Sequence, residues 1–431
     1  MNKRQVLIIG LMTFALFFGA GNVIFPPFIG YESGYNLSYA ITGFITTGVL
    51  LPLMAVVSAS MVNGDLNTLS ARGGRLFGRV FPFIIYLAIG PLFIIPRSAS
   101  VTYTMGVKPL FGDGFSIMII ATLIYFIISG YLALSQSKMV SIIGKVITPL
   151  LIVTISMIVI KAIISPVDLL STPGNDYIEN PYFKGFVEGF LTMDALGALV
   201  VANILVTTLN GFNITSNRDI VKYSSYAAII ASVLLSIIYA GLSYVGAVYS
   251  KSFEFTNGGD LLASATYSMF GNSGAYLLAI VIALACLSTS IGVTSASSRF
   301  FSERIGRLSY RAWVIIVTIV SFFISNIGLD AIISITVPVL TIIYPGAIVI
   351  IVLGFFSKYL ENCKYVYSVG VYTAFIISLI NTIDVLSIKI PFITDAIRLL
   401  PLYNVSLSWI LPTVILTLFS YILGVTIRKI V

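Results

Sequence analysis

Twelve stretches of this sequence run for 15 or more residues without an Asp, Glu, Lys or Arg: 5–31, 33–64, 80–96, 114–137, 146–160, 195–217, 223–250, 261–298, 312–329, 331–357, 365–383 and 399–427. A hydrocarbon core of about 30 Å takes roughly 20 apolar residues to cross as a helix, with about 17 as the lower limit. Most of the stretches meet that directly. The shorter ones are completed by flanking residues whose charged ends reach the interface. A membrane barrel would instead alternate in strands of about 10 residues. A soluble domain is excluded as well, because it carries about 25% charged residues and this chain has 9%, with 58% hydrophobic residues and a mean hydropathy of +1.04. The pattern predicts an all-α integral membrane protein with 12 transmembrane helices.

Orientation follows from Lys and Arg, which accumulate in short cytoplasmic loops. With the N-terminus inside, 17 of the 24 cations fall on the inner side, including Lys3, Arg4, Arg72, Arg75, Arg79, Lys138, Lys145 and Arg299. Six fall outside (Lys108, Lys161, Lys184, Lys251, Lys389 and Arg398), and Arg97 lies within a span. Adding or removing one span near the N-terminus would destroy this alternation. The chain is therefore expected in the plasma membrane, multi-pass, with both ends cytoplasmic. The net charge of +8 is a topology signal and not a nucleic-acid surface.

Residues 5–31 are too long for a signal-peptide core and read as a retained first helix. Cys286 within a span and Cys363 in a cytoplasmic loop suggest neither a disulfide nor a metal cluster. The chain contains no histidine, which removes the commonest general base.

Several spans carry residues that interrupt helices. The first reads Gly19-Ala20-Gly21-Asn22-Val23-Ile24-Phe25-Pro26-Pro27. An unwound stretch is expected at Gly19 to Asn22, near the midplane, with a second half-helix from about Val23 holding both prolines in its first turn. Backbone can unwind at that depth only inside protein or along a polar cavity. The plainer alternative is a proline kink in a packing helix.

The sixth span contains Leu191-Thr192-Met193-Asp194-Ala195-Leu196-Gly197. Asp194 is the one carboxylate placed deep in a span. Such a residue costs about 2.5–3.5 kcal/mol on insertion scales and marks an ion or substrate path, unless it serves a structural network with Arg97 or hydroxyls. The two breaks fall at matching positions of two five-span units of opposite direction, the best sequence pointer to a secondary-transporter site. The units cover about 5–164 and 184–357, with added spans at about 365–388 and 399–428, in a single transporter domain.

In the eighth span, Ser288, Thr289 and Ser290 follow one another. Single hydroxyls usually bond back to the preceding turn, but three in a row send at least one oxygen inward. With carbonyls freed at the first break they suit a hard cation such as Na⁺. In the third span Gly90-Pro91 and Pro96-Arg97 predict a bend. Arg97 is expected to form a gate with Glu32, Asp330 or Asp384, or to act as an interfacial anchor. Gly258-Gly259-Asp260 reads as the capped start of an outer helix, a candidate lid.

The run from Gly10 through Phe17-Phe18-Gly19-Ala20-Gly21-Asn22 to Pro27 resembles the first helix of the bacterial branched-chain amino acid:cation symporters, the BrnQ-type carriers. Gly90-Pro91 with Ile95-Pro96-Arg97, and Leu191 to Leu196, are similar to that family's third and sixth helices, and the resemblance extends over essentially the whole chain. It implies import of leucine, isoleucine and valine with Na⁺ or H⁺ by alternating access, no other cofactor, and the LeuT-like five-plus-five inverted fold. It also implies a sodium site from the Ala15, Phe18 and Ala285 carbonyls with the Ser288 and Thr289 side chains. The substrate carboxylate is expected at the helix start near Gly21 to Val23, with its ammonium at the carbonyls of Leu191 to Asp194 or at Asp194 itself. Phe17, Phe18, Phe25 and Leu196 are available for the aliphatic part. Each methylene is worth only about 1–3 kcal/mol, so broad branched-chain selectivity is expected.

Three other readings remain. The same fold can carry another neutral amino acid. An intramembrane enzyme would need an aspartyl pair or a Ser-Lys arrangement, and one deep carboxylate is visible. A channel would show charged rings or a filter repeat. No nucleic-acid or obligatory protein partner is indicated.

Overall fold

The computed structural model describes residues 1–134, 148–167, 170–249, 254–360, 363–388 and 390–430. Lys138, Lys145, Lys251 and Lys389 of the charge pattern lie outside the described residues. Among the described residues every regular element is helical, and helix occupies part of each charge-free stretch. Within the described residues, eight helical stretches are long and apolar enough to cross a membrane, from Ala20–Ser60 to Tyr365–Val385, and Thr148–Ile164, Tyr310–Ser325 and Ile410–Thr426 are shorter apolar helices. This is a multi-pass helical membrane protein.

The sidedness of single helices supports that statement independently. In the helix Phe115–Ala133 the buried residues are Thr122, Tyr125, Phe126, Ser129 and Ala133, whereas Ile120, Ile124, Ile127 and Tyr131 are exposed. The small hydroxyl residues Thr122 and Ser129 point inward and the isoleucines outward. Water would reverse the pattern; a hydrocarbon surround, where polar groups serve as contacts between helices, produces it.

The chain forms two compact units. One comprises Met1–Val49, Ile85–Asp194 and Tyr226–Ser334; the other comprises Leu50–Ile84, Ala195–Ser225 and Ile335–Val431. In the first, helices approach closely through small residues. A Cβ on Gly30 would fall 1.8 Å from the Ser243 carbonyl, and one on Gly246 would fall 1.8 Å from the Pro27 carbonyl. The helices Ala20–Ser33 and Asn217–Val248 therefore meet backbone to backbone.

The bend expected in the third span is present: Gly90 leaves helical geometry at φ −81, ψ −115 between the helices Arg75–Leu87 and Ile94–Thr102. The helix starting at Gly258 is capped by Asn257, whose side chain accepts from the amides of Gly259 and Asp260 at 3.0 Å each. It runs to Ile305 with an interruption at Gly271, φ +61.

In the second unit, the Arg72-Gly73-Gly74-Arg75 turn is fixed by Ser368, which donates to the Gly73 carbonyl at 3.1 Å. The last helix begins at Ile410 and not near Leu399. Pro401 and the left-handed backbone of Leu402 and Ser406 keep the intervening chain in turns.

Candidate functional site

The first unit contains the break in the opening helix. The helix Lys3–Phe17 stops, Phe18 and Gly19 are extended, and helix resumes at Ala20. The interruption is shorter than Gly19 to Asn22, and the new helix starts before Val23. The reason is a local cap: the Gly19 amide donates to the Asn22 side-chain oxygen at 2.9 Å, satisfying one of the donors that a helix start leaves free. Pro26 and Pro27 consequently lie inside the helix Ala20–Ser33, beyond its first turn. They deprive the Asn22 and Val23 carbonyls of their ordinary donors four residues on.

The second break is made differently. The helix Pro181–Glu188 passes into a tight turn over Gly189–Thr192, Met193 adopts left-handed geometry at φ +65, and Asp194 opens the helix Asp194–Gly211. The pivot is thus a methionine. A non-glycine residue in that region is uncommon and strained.

Arg97 reaches this second break. It is buried at 2% exposure, and its guanidinium donates to the Leu191 carbonyl at 2.5 Å and to the Thr192 carbonyl at 3.1 Å. It also lies 5.3 Å from the centre of the Phe25 ring. None of the three carboxylates expected for it is its partner here: Asp330 is bonded to Asn257 at 3.0 Å, Asp384 is paired with Arg398, and the cation acting on Glu32 is Lys184. The turn before Met193 orphans carbonyls at the depth of the helix Ile94–Thr102, and these take the cation. Arg97 also sits against the first break, since a Cβ on Gly21 would come 2.7 Å from its Nη2 atom and 3.1 Å from the Thr192 Cα. A side chain at this position would press the Arg97 guanidinium off its place.

Asp194 and Asn22 meet directly, with the Asn22 amide donating to Asp194 Oδ2 at 2.5 Å. Tyr239 completes the group. Its hydroxyl donates to the same carboxylate oxygen at 2.8 Å and accepts from the Asn22 amide, and its ring packs edge-on against Phe44 at 5.2 Å. The sequence reading omitted Tyr239, one aromatic among many in an apolar stretch. Nothing local distinguishes it.

Of the residues considered for a cation, Thr289 of the eighth span meets Phe18 at the first break, whereas Ser288 bonds back to its own helix turn. Thr289 donates its hydroxyl to the Phe18 carbonyl at 3.4 Å, and Ser288 donates to the Ala285 carbonyl at 2.8 Å. A Cβ on Gly19 would fall 2.8 Å from the Thr289 hydroxyl, so this glycine admits the eighth-span hydroxyls to the break. Ala15, Phe18, Ala285, Ser288 and Thr289 are all buried, as are Ala20, Val23 and Phe25. Leu196, also buried, belongs to the second unit.

The model of a family described as branched-chain amino acid transport protein matches residues 2–427. The chain belongs to that family. Among its relatives, the branched-chain amino acid permease BrnQ of Bacillus subtilis is 39% identical over 430 residues, 98% of each chain. The branched-chain amino acid transport system 2 carrier protein of Pseudomonas aeruginosa is 38% identical over 409 residues, covering 95% of this chain and 93% of that one. The family is one of membrane transporters, not enzymes. Solved structures supply the fold: a mutant of the Eremococcus coleocola manganese transporter aligns with a TM-score of 0.60 at 15% identity, over 99% of this chain and 96% of that one. A nucleobase-cation-symport-1 family transporter aligns with a TM-score of 0.64 at 13% identity, over 98% and 92%. At this identity the likeness speaks for the fold alone.

Proposed function

We propose that this chain is a secondary symporter that imports leucine, isoleucine and valine with Na⁺ or H⁺ by alternating access across the plasma membrane. In this reading it has 12 spans, an inverted five-plus-five core and both ends inside. Its binding site lies between the breaks at Gly19 and Met193. The observation that carries the reading is the buried Asn22–Asp194–Tyr239 group, in which Asn22 and Tyr239 donate to the carboxylate as neutral groups and Arg97 acts on it only through space. A carboxylate buried this way is costly unless a cation or proton joins it. Asp194 is therefore the anionic pole of the site, open to a coupling proton or a cationic group.

For Na⁺, the support is the meeting of the Phe18 carbonyl with the Thr289 hydroxyl, oxygen donors of the kind a hard cation takes; Ser288 would have to turn from its bond to the Ala285 carbonyl in the preceding turn. Ala15 would add a further carbonyl. Because Arg97 holds the Leu191 and Thr192 carbonyls, a substrate ammonium has to share or displace that contact. The aliphatic chain would rest among Phe17, Phe18 and Phe25.

Reconstitution into liposomes tests this reading. Labelled leucine should accumulate only under an imposed Na⁺ or proton gradient, and isoleucine and valine should compete. Asn22→Ala and Thr289→Ala should each weaken uptake in folded protein. No gradient-driven uptake of any branched-chain amino acid sinks the assignment, and wild-type uptake in both variants removes the site from the breaks.

A further inference from the structure

The Arg97 guanidinium occupies two backbone carbonyls that an α-amino acid's ammonium would seek in this site. It donates to Leu191 O and Thr192 O, rests beside the Phe25 ring, and touches the place where Gly21 lacks a Cβ. Carbonyls at an interrupted helix end carry partial negative charge without an intrahelical donor. They take any cation that reaches them, and Arg97 is already within hydrogen-bond distance on the protein's own chain. One pair of acceptors thus faces two candidate cations, one tethered and one arriving with the substrate.

We propose that Arg97 is a tethered stand-in for the substrate's ammonium group, displaced from the Leu191 and Thr192 carbonyls when an amino acid binds and then paired with that substrate's carboxylate. The exchange balances without new chemistry. The carbonyls keep a cationic donor throughout, and the displaced guanidinium regains an acceptor of matching fork geometry. The α-carboxylate is one bond removed from the carbon bearing the ammonium, so it arrives beside the place the guanidinium leaves. The inference rests on the amino-acid transport reading above.

The device determines what kind of molecule is admitted. A zwitterion supplies both charges. An amine of the same shape can displace Arg97 but leaves its guanidinium buried without the acceptors it lost, which is strongly unfavourable. A carboxylic acid without the amine leaves the carbonyls to Arg97 and gives the guanidinium no reason to move. The wild-type carrier should therefore discriminate against both half-substrates, although all share one aliphatic chain.

The experiment measures inhibition of leucine uptake in proteoliposomes by 3-methylbutylamine and by 4-methylpentanoate, for wild type, Arg97→Gln and Arg97→Lys. In Arg97→Gln the leucine concentration for half-maximal uptake should rise about tenfold or more, while inhibition by 3-methylbutylamine strengthens, a shift in the opposite direction. Arg97→Lys, which keeps the charge without the fork, should fall between wild type and Arg97→Gln in both measurements, and its opposite shifts carry the test should the glutamine variant not fold. Parallel weakening of leucine and amine in the variants assigns Arg97 a structural role and overturns the proposal, as does unchanged leucine affinity. A wild-type protein that takes up no branched-chain amino acid overturns the transport reading itself, so the two failures are distinguishable.

Discussion

Two buried carboxylates in this protein are held by tyrosine hydroxyls, and the rest of their surroundings differ. Asp384, in the second unit, receives a fork from Arg398, Nε to Oδ2 at 2.7 Å and Nη2 to Oδ1 at 2.8 Å, together with the Tyr403 hydroxyl. Asp194, in the first, receives the Tyr239 hydroxyl and the Asn22 amide. Both are nearly inaccessible, at 6% and 5% exposure. Asp384 is neutralised by a partner nearby in the chain and joins the end of the helix Lys364–Val385 to the short helix Ile393–Arg398. That is a structural fastening. Asp194 is hydrogen-bonded by neutral donors, and the nearby cation, Arg97, acts on it through space while its own hydrogen bonds go to the Leu191 and Thr192 carbonyls, so the carboxylate has no fork of its own and can take a cationic group from outside.

Exchanging each aspartate for asparagine gives the largest test of this contrast. Asp194→Asn should lower leucine uptake by about 10- to 100-fold with little change in the thermal unfolding midpoint. Asp384→Asn should lower the midpoint while the surviving folded protein transports with wild-type half-saturation. Uptake assays and unfolding scans on the same detergent preparations read both quantities. Full transport in Asp194→Asn, or a transport defect without loss of stability in Asp384→Asn, would erase the distinction between the two sites.

That contrast was only half legible in the sequence. Asp194 could be singled out because a charge deep in an apolar stretch is a local signal, as are the glycines and amide at 19–22. What each group touches depends on tertiary pairing. Asn22 and Tyr239 are 217 residues apart, and Arg97 and Leu191 are 94 apart. Pairing Arg97 with a carboxylate assumed that charge seeks charge, whereas the turn at Met193 created carbonyl acceptors closer to hand. Met193 shows a second limit. Composition directs attention to glycine for a left-handed residue, but the surrounding contacts impose that backbone on a methionine. The twelve charge-free stretches were the most legible feature, because hydrocarbon acts on every residue of a span and needs no partner.

The tyrosines separate the two sites further, with a smaller effect. Removing the Tyr239 hydroxyl takes a donor from Asp194 and an acceptor from Asn22 at once. Tyr239→Phe should therefore cost about 1–2 kcal/mol, seen as a loss of uptake of roughly 5- to 30-fold, with the ring packing on Phe44 retained. Tyr403→Phe leaves the Arg398 fork in place and should leave uptake unchanged. Equal transport defects would mean that Asp384 also takes part in the transport cycle.

The smallest effect is expected from Asp113, a third carboxylate held by a tyrosine and a cation but exposed to solvent. Tyr103 donates to it at 2.8 Å, and the Lys108 ammonium lies 3.4 Å away. The Tyr103 hydrogen bond, then the Lys108 charge, hold its carboxyl below the ordinary carboxylate value. A lowered folded-state value contributes stability that is present above the unfolded value of about 3.9 and is lost as pH falls through the folded one. Water screens this pair, so Asp113→Asn should move the unfolding midpoint at pH 7 by no more than about 1 °C. Its effect should vanish in scans at still lower pH, once the wild-type carboxyl is protonated. A shift as large as that of Asp384→Asn would show that the tyrosine and cation matter more than burial, and the contrast between Asp384 and Asp194 would then have to rest on the Arg398 fork alone.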